Sequence, residues 1–449
     1  MKPKLDWSAY KDAGMGDAYA DIPKHGGNFA KAVAACINSR LCEGEGKQLM
    51  CPSFKVSGNP NLSTGGRVRL LKAALSADDP MSGLSDAELI EAMDLCVACK
   101  GCKRECENNV DMALIKAEFR AQQAEREGLS RRAKLFAETP DWLARKPWLK
   151  ALIRWRNGSR LIRGLGKTFL GLSPVRDLPE PAAKPFEPEA ATPTSSEPVG
   201  EVVLLVDTFS RHFEPAIPRA AMQLLRRGGY AVQVAEAPEP EGRALCCGRT
   251  YLAQGMIDQA RAEAGRLLGA LRPHLEADRT VVGLEASCVL GLRDDAQALG
   301  LDPDLAALGK SVVMLEEFLA KEIVAKRLNL PFKQEGASEP LLIHGHCHQK
   351  AVGAMKSVRR VLKQVPGLEF QMIDAGCCGM AGSFGIEDEH ADLSVKMAEQ
   401  ALMPALRDAP EAAVMANGFS CRQQIKSLGD DRPRHLAQVL LDRLEPLQS

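Results

Sequence analysis

The stretch Cys96-Val-Ala-Cys99-Lys-Gly-Cys102-Lys-Arg-Glu-Cys106 brings four cysteines into one short segment of the chain. Three thiolates at intervals of three residues can wrap one corner of a cubane iron–sulfur core, and the fourth can reach a second core. A structural zinc site is the alternative, but zinc favours two separated pairs of ligands over four in one tight loop. The spacing therefore predicts an iron–sulfur module with two clusters.

A two-cluster arrangement requires a second cysteine motif, and an altered one lies upstream. Cys36 and Cys42 have the separation of the first and third cysteines of the downstream run, with Ser39 between them, and Cys51-Pro52 follows. We expect one 4Fe–4S cluster on Cys51 and the first three downstream cysteines. The other cluster then has Cys36, Cys42 and Cys106. That set is one thiolate short, so it predicts a 3Fe–4S centre or a 4Fe–4S centre completed by an oxygen ligand.

Composition restricts the class of protein. The chain has 449 residues, 14 of them cysteine, and 58 basic residues balance 58 acidic ones, so charge indicates no nucleic-acid partner. Residues 1–16 mix charges without an apolar h-region, and no run approaches the roughly 18 apolar residues of a membrane span. We therefore expect a cytoplasmic protein with reduced thiols rather than a disulfide framework.

The N-terminal part has the pattern of helices. Ser85-Asp86-Ala87-Glu88 is a capping-box sequence that predicts a helix start before Cys96. A second helix is predicted from Asp111 to about Glu127, ending at Gly128.

The C-terminal part alternates short apolar runs with amphipathic segments, which predicts an α/β domain with a mostly parallel sheet. The predicted strands are 202–206, 231–235, 280–284, 311–314, 341–343, 370–373 and 413–416. Predicted helices between them include 217–227, 257–271 and 391–403.

This part also contains an internal repeat. Cys246-Cys247-Gly248 precedes Cys288, and Cys377-Cys378-Gly379, which is preceded by Cys347, precedes Cys421. The pair and the final cysteine are separated by 41 residues in the first copy and 43 in the second. Two halves of similar build that end strands at cysteines predict a pseudo-twofold pair facing one shared cleft.

Three motifs of the second copy resemble a known family. They are Leu-Ile-His-Gly-His-Cys-His-Gln-Lys at 342–350, Ala-Gly-Cys-Cys-Gly-Met-Ala-Gly-Ser-Phe at 375–384 and Asn-Gly-Phe-Ser-Cys-Arg at 417–422. They resemble the cysteine-rich (CCG) domain family of heterodisulfide reductases, the anaerobic glycerol-3-phosphate dehydrogenase small subunit and glycolate oxidase iron–sulfur subunits. The closest resemblance is to the C-terminal half of FAD-linked 2-hydroxy acid oxidases, over roughly residues 30–445.

The resemblance implies a ligand set for each repeat. The second repeat keeps four of the five cysteines of the family motif, with Gly418 in place of the fifth, so a further iron–sulfur cluster is implied there. The first repeat has Thr208 and Glu285 where cysteines would be expected, so it is either a metal site or a degenerate half retained for packing. The implied ligands are Cys347, Cys377, Cys378 and Cys421 in the second repeat, and Cys246, Cys247 and Cys288 in the first.

His344, His346 and His348 alternate around Cys347. Because they alternate at a strand end, we expect all three to project from one face. His346 and His348 are then candidate catalytic residues, as ligands or proton donors to an acceptor, and the alternative is a hydrogen-bonded loop.

Residues 142–176 contain nine Lys or Arg, no Asp or Glu, and three of the four tryptophans. Pro147 suits a helix start, and Asn157-Gly158 divides the segment into two amphipathic helices. A cationic hairpin with interfacial tryptophans is typical of a membrane-surface contact. The alternatives are docking to an acidic flavoprotein and a cover packed on the cluster module.

We therefore predict an α+β multidomain chain in which a helical two-cluster ferredoxin module precedes a duplicated α/β cysteine-rich domain. The predicted segments are an N-terminal extension (1–30), the cluster module (31–128), the basic amphipathic segment (129–178), a Pro-rich linker (179–200), the first repeat (201–335) and the second repeat (336–449).

The resemblance also implies a function. The chain contains no glycine-rich dinucleotide fingerprint, so we expect FAD on a partner dehydrogenase subunit. Electrons from a 2-hydroxy acid such as D-lactate, glycolate or D-2-hydroxyglutarate would pass through the clusters to a quinone or another small acceptor at the inner face of the cell membrane. The alternatives are a self-contained disulfide or quinone reductase, a small subunit of the anaerobic glycerol-3-phosphate dehydrogenase type, and a non-enzymatic relay.

Overall fold

The computed structural model describes residues 1–12, 21–44, 49–188, 198–237, 243–334 and 339–446. Part of the predicted linker, 189–197, lies outside these residues. The N-terminal half is helical, and the C-terminal half contains two parallel four-stranded sheets. A mixed helical and sheet architecture, as predicted, is confirmed.

The helices of the N-terminal half surround the first seven cysteines. They are α1 (Asn28–Ala34), α2 (Pro52–Ser57), α3 (Thr64–Ser76), α4 (Pro80–Gly83), α5 (Ala87–Asp94), α6 (Gly101–Glu105), α7 (Met112–Glu127), α8 (Arg131–Ala137), α9 (Thr139–Arg145), α10 (Trp148–Gly158) and α11 (Arg160–Leu170).

Two of these helix starts test the sequence rules. Asp111 caps α7 by accepting a hydrogen bond from the Leu114 N–H at 3.1 Å, as predicted. The capping-box sequence predicts Ser85 as the cap of α5, but the cap is the next residue. The Asp86 side chain accepts a hydrogen bond from the Leu89 N–H, and the Ser85 hydroxyl donates to the Met81 carbonyl instead. Both oxygens are equally suitable caps, so only the backbone geometry distinguishes them.

The two sheets have the same strand order, which is the structural form of the predicted repeat. The first has the order β2-β1-β3-β4 and the second β6-β5-β7-β8, with every pair parallel. The strands are β1 (Gly200–Leu205), β2 (Tyr230–Val234), β3 (Thr280–Gly283), β4 (Val313–Met314), β5 (Leu341–His344), β6 (Phe370–Met372), β7 (Ala413–Ala416) and β8 (Pro433–Arg434). Strand β8 was not predicted, since two residues beginning with proline carry no periodic signal.

Helices follow the strands in each repeat. They are α12 (Thr208–His212), α13 (Ala216–Arg227), α14 (Arg249–Ala253), α15 (Ile257–Glu276), α16 (Ala286–Asp295), α17 (Pro303–Leu308), α18 (Leu315–Val324), α19 (Cys347–Val352), α20 (Met355–Leu362), α21 (Ala391–Glu399), α22 (Leu402–Arg407), α23 (Phe419–Ser427) and α24 (Leu436–Leu441). The predicted helix 391–403 is two helices, because Pro404 would clash with the Gln400 carbonyl in a continuous one.

The modules pack against one another through shared apolar surfaces. One core contains strands of both sheets together with α13, α18, α20 and α24, so the repeats bury a common interface. The first residues of the chain pack on α7. There the buried Glu118 carboxylate accepts hydrogen bonds from the backbone N–H of Leu5 at 2.8 Å and from the indole N–H of Trp7 at 3.0 Å. In the predicted linker, the N–H groups of Ala182 and Phe186 donate to α12 carbonyls. A further core joins the N-terminal helices to α14 and α15, so the cluster module packs on the first repeat.

Candidate iron–sulfur sites

The N-terminal cysteines lie in two loops that the backbone holds in unusual conformations. Asn38, Arg40, Cys51, Ala98 and Lys100 all have positive φ angles, between 47° and 61°. Left-handed conformations are unfavourable for residues with a Cβ and concentrate where the surrounding structure requires them. In this module the residues with positive φ angles lie in the two loops that contain the cysteines.

The thiols of these loops are held by backbone donors. The Thr64 N–H donates to Cys51 Sγ at 3.0 Å, and the Gly65 N–H donates to Cys42 Sγ at 3.2 Å. A hydrogen bond from the Cys51 thiol, aided by Gly65, lowers the pKa of Cys42 to about 6. Backbone N–H groups aimed at sulfur are the usual surroundings of cluster thiolates, so the loop fits the group that the spacing predicts.

The structure also shows which thiols are neighbours. Burial, followed by the charges of Cys106 and Cys42, raises the pKa of Cys36. Burial raises the pKa of Cys102 to about 12, with Cys96 among the contributing charges. Thiols of the two predicted sets are also neighbours of each other, because Cys51 perturbs Cys42 and Cys106 is among the charges that act on Cys102. The exact assignment of ligands stays a prediction.

Arg67 is a buried cation beside this module, and only 2% of it is exposed. Its guanidinium donates to the Ala92 carbonyl at 2.7 Å, to the Ser53 hydroxyl at 2.8 Å and to the Leu62 carbonyl, and no carboxylate pairs with it among the described residues. A buried charge without a counter-ion is costly. Because a cluster with four thiolates is anionic, an iron–sulfur core near Cys51 would balance this charge.

We expect Arg67→Met to lower the reduction potential of that cluster, because reduction adds a negative charge that Arg67 stabilises. At roughly 8 Å and an effective dielectric constant of about 20, one charge changes this energy by about 2 kcal/mol, or about 90 mV. A redox titration followed by electron paramagnetic resonance (EPR) measures the shift. Arg67→Lys keeps the charge and should retain most of the potential, and an equal drop in both variants would assign the effect to the hydrogen bonds.

The cysteines of the second repeat form a second, separate group, which we call the second-repeat site. Hydrogen bonds between thiols connect Cys347 to Cys377, Cys377 to Cys378, and Cys378 to Cys421. Lys350 reaches over the site, and its ammonium group donates to the Ala375 and Gly376 carbonyls. Burial lowers the pKa of Lys350 while the four thiolates oppose that effect. Four thiols and a partly buried cation fit an anionic cluster here as well.

The three histidines do not share one face, contrary to the prediction. Strand β5 ends at His344, His346 caps α19 through a 3.2 Å hydrogen bond from the His348 N–H, and His348 lies within the helix. His348 Nε2 lies 3.2 Å from Arg249 and 3.3 Å from the Ala98 carbonyl. Burial lowers the pKa of His346 to about 3, so its ring is neutral.

His344 lies beside two thiols of the second-repeat site, although the candidate site residues included only His346 and His348. One of its ring nitrogens and the sulfurs of Cys378 and Cys421 lie within 4.8 Å of one another. Both ring nitrogens are buried and have no hydrogen-bond partner in the described part of the chain. His344 is therefore a candidate fifth ligand, and its position at the carboxyl end of a strand was the available signal.

The strand register shows which residues of the two repeats are equivalent. Val202 pairs with Thr280 in the first sheet as Leu341 pairs with Ala413 in the second. Counting forward in each repeat, Thr208 takes the position of Cys347. The first repeat therefore presents a hydroxyl where the second presents a thiol.

Gly418 and the equivalent Glu285 stand where the family motif has a cysteine, and the structure shows what occupies the space of the thiol at each position. A Cβ on Gly418 would lie 2.3 Å from the His346 ring, which fills the space of the missing side chain. At the equivalent position of the first repeat, Glu285 accepts hydrogen bonds from the Ser287 hydroxyl at 2.8 Å and the Phe419 N–H at 2.8 Å. Glu285 thus joins the two repeats. The remaining thiols Cys246, Cys247 and Cys288 are still adjacent to one another.

The N-terminal module touches the second-repeat site directly. Cys99 and Cys377 belong to one buried cluster with Val97, and Cys347 packs against it. Burial and then the neighbouring Cys347 thiolate raise the pKa of Cys99. Thiols of the N-terminal loop and of the second repeat therefore lie in one buried cluster.

Comparison with known proteins identifies the two module types. A family model described as a 4Fe-4S dicluster domain matches residues 32–110, and one described as a cysteine-rich domain matches residues 341–426. These matches confirm the predicted ferredoxin-type module and cysteine-rich half. The cysteine-rich match lies on the second repeat, which has the larger thiol set.

Similarity to curated proteins extends over most of the chain. The D-2-hydroxyglutarate dehydrogenase of Pantoea ananatis (strain AJ13355) is 24% identical over 476 aligned positions, covering 92% of this chain and 43% of the relative. The enzyme of that name from Escherichia coli (strain K12) is 24% identical, with coverage of 92% and 44%. One of the subunits of the anaerobic glycerol-3-phosphate dehydrogenase of Escherichia coli (strain K12) is 23% identical, covering 54% of this chain and 59% of the relative. The chain thus spans less than half the length of these D-2-hydroxyglutarate dehydrogenases.

Proposed function

We propose that this chain, which combines a 4Fe-4S dicluster domain with a cysteine-rich domain, is the iron–sulfur subunit of an FAD-dependent 2-hydroxy acid dehydrogenase. The substrate class follows from the similarity to D-2-hydroxyglutarate dehydrogenases over 92% of the chain. We propose that the flavin centre lies on a partner dehydrogenase subunit, because the two domains matched in this chain are a 4Fe-4S dicluster domain and a cysteine-rich domain.

The observation that carries the proposal is the contact of Cys99 with the second-repeat site. Bound clusters would supply one-electron carriers. The chain's own residues fix the distance between the two sites by packing Val97 and Cys99 against Cys377. They also bury the thiols, which excludes water from the path.

The acceptor is proposed to be a quinone at a membrane surface. None of the described helices is both long and apolar enough to cross a bilayer. The outer side of α10 and α11 nevertheless exposes Trp148 at 61%, Trp155 at 59%, Leu161 at 82% and Phe169 at 68%. Nine basic residues accompany these side chains in residues 142–176. An apolar face with tryptophan and a cationic border suits the interface of an anionic membrane.

The experiment is an anaerobic purification of the tagged chain from its native cells, with flavin, iron and sulfide quantified on the complex. We expect a flavoprotein with about one FAD per chain. D-2-hydroxyglutarate, D-lactate, glycolate and glycerol 3-phosphate are then added separately, and cluster reduction is followed by EPR. One of the three hydroxy acids should reduce the clusters.

The Cys99→Ala variant tests the path, because it removes a predicted cluster ligand that packs beside the second-repeat site. Flavin should still be reduced by substrate, while reduction of the second-repeat site slows by at least tenfold. Reduction of the clusters by a hydroxy acid in the isolated chain would contradict the assignment of the flavin to a partner. Reduction by glycerol 3-phosphate alone would change the substrate class.

A further inference from the structure

A cavity of about 570 Å³ lies between the cysteines of both repeats and the inner side of the hairpin formed by α10 and α11. Its walls are mainly apolar and include Leu149, Ile153 and Ile162 of the hairpin together with Phe209. Cavities of this size and character are typical of small-molecule sites.

The cavity is larger than a cluster site. A cluster on the second-repeat site would occupy the end of the cavity formed by those four cysteines. The lining continues past them to Cys247 and Cys288 of the first repeat and up to Leu170 of the hairpin. Space for an apolar molecule therefore remains between the thiols and the hairpin.

The cavity opens toward the proposed membrane face. Leu152 and Leu165 line it and are also 39% and 51% exposed. They lie on the two helices that carry the exposed Trp155 and Leu161. The side chains of Leu152 and Leu165 thus form an apolar connection between the exposed face and the cavity.

Several buried polar atoms in the lining lack a hydrogen-bond partner among the described residues, and the Thr208 hydroxyl is one of them. Thr208, only 3% exposed, lines the cavity, and its Oγ1 has no hydrogen-bond partner among the described residues. A buried hydroxyl without a partner is uncommon in a folded protein and indicates a missing ligand or water. Thr208 stands at the position that Cys347 occupies in the second repeat. At this position the first repeat therefore presents a hydroxyl group that can donate a hydrogen bond.

We propose that this cavity binds the head group of a lipophilic quinone, which enters between Leu152 and Leu165, and that Thr208 Oγ1 donates a hydrogen bond to one quinone carbonyl. The site deepens the proposed function and rests on it for the supply of electrons. Reduction to the quinol consumes two electrons, which come from the hydroxy acid through the partner's flavin, and two protons, which come from water.

The test is labelling of the anaerobically purified protein with a photoreactive azidoquinone that carries a short tail. Ile162 and Leu161 are neighbours on α11, but Ile162 lines the cavity and Leu161 is exposed. We expect Ile162→Glu to weaken labelling of the cavity at least tenfold, because it places a charge in an apolar wall. Leu161→Glu should label normally and instead lose binding to vesicles of phosphatidylcholine and phosphatidylglycerol.

A second pair of variants covers the case in which Ile162→Glu does not fold. Thr208→Val removes only the hydroxyl and should weaken azidoquinone binding by about two- to tenfold. Thr208→Ser should bind like the natural protein. Iron content and circular dichroism verify that all four variants are folded.

The outcomes separate this site from the proposed function. Undiminished labelling in both Ile162→Glu and Thr208→Val would overturn the quinone site, even if hydroxy acids reduce the clusters of the complex. Cavity labelling that depends on Ile162 and Thr208 would support the site. If that labelling occurs but no hydroxy acid reduces the clusters, the proposed function fails and the binding site remains.

Discussion

Replacement of Cys377 by alanine is expected to remove the iron of the second repeat and to leave the N-terminal clusters in place. Cys377 is hydrogen-bonded to two other thiols of the site, so its loss leaves three of four thiolates. A cluster that loses one of four ligands is strongly destabilised. Iron and sulfide content should fall by about four atoms of each per chain if the site holds a 4Fe–4S cluster.

The matched control is Cys246→Ala. Cys246 is the first cysteine of the equivalent pair in the first repeat, where Thr208 and Glu285 stand at positions that could have held cysteines. We expect no loss of iron in this variant. Equal losses in both variants would mean that the first repeat also binds metal, and no loss in Cys377→Ala would remove the cluster assigned to the second repeat. EPR spectra identify which signals disappear.

Replacement of Lys100 by methionine is expected to cost about 3–5 kcal/mol of stability, because it removes the buried cation that three carboxylates share and leaves only the more exposed Lys103 and Arg249 to balance them. The Lys100 ammonium group lies 2.5 Å from Asp295, 3.3 Å from Asp111 and also in contact with Asp294. Burial alone would lower the pKa of Lys100, but these three carboxylates raise it. Since Asp294 and Asp295 belong to α16, the interaction joins the cluster loop to the first repeat.

The pH dependence of this effect has a defined sign. Burial opposes ionisation of Asp111, but Lys100 and Lys103 outweigh it and hold its pKa below the usual value. The ionised carboxylate therefore contributes stability above about pH 4, and that contribution is lost as the pH falls through its folded pKa. The difference in unfolding free energy between the natural protein and Lys100→Met should shrink at acidic pH.

Anaerobic denaturant unfolding of the cluster-loaded protein, followed by circular dichroism, measures this difference. Lys103→Met is the control, since Lys103 contacts Asp111 at 3.1 Å but its side chain is 37% exposed. Its substitution should cost about 1 kcal/mol or less. A similar small cost for Lys100→Met would show that the buried cluster of charges does not hold the two modules together.

Much of the fold could be predicted from residues that are near one another in the sequence. The spacing of Cys96, Cys99, Cys102 and Cys106 indicates a cluster loop, because ligands a few residues apart can converge on one metal core without long-range contacts. Short apolar runs likewise predict seven of the strands, with each end within two residues of its place in the structure. The exceptions, such as the break before Pro404 and the two-residue strand β8, are short features with little periodic signal.

The histidines show where this local reasoning fails. The alternation of His344, His346 and His348 predicts one face only if the strand continues, and the strand ends at His344. Helix α19 begins there because His346 can cap it and Gly418, from a different strand connection, leaves room for the ring. The space for the His346 ring exists because residue 418, more than seventy positions away, is glycine. A local sequence pattern around His346 therefore cannot predict it.

The spacing of the cysteines and the periodicity of the chain predict the types of ligand, the duplication of the cysteine-rich half and the parallel sheets. The sequence contains no signal that Cys99 packs with Cys377, that Lys100 binds carboxylates of the first repeat, or that the basic hairpin covers a cavity shared by both repeats. Each of these contacts joins residues far apart in the sequence. Their partners are selected by the packing of whole modules, which burial of apolar surface determines and residue spacing does not.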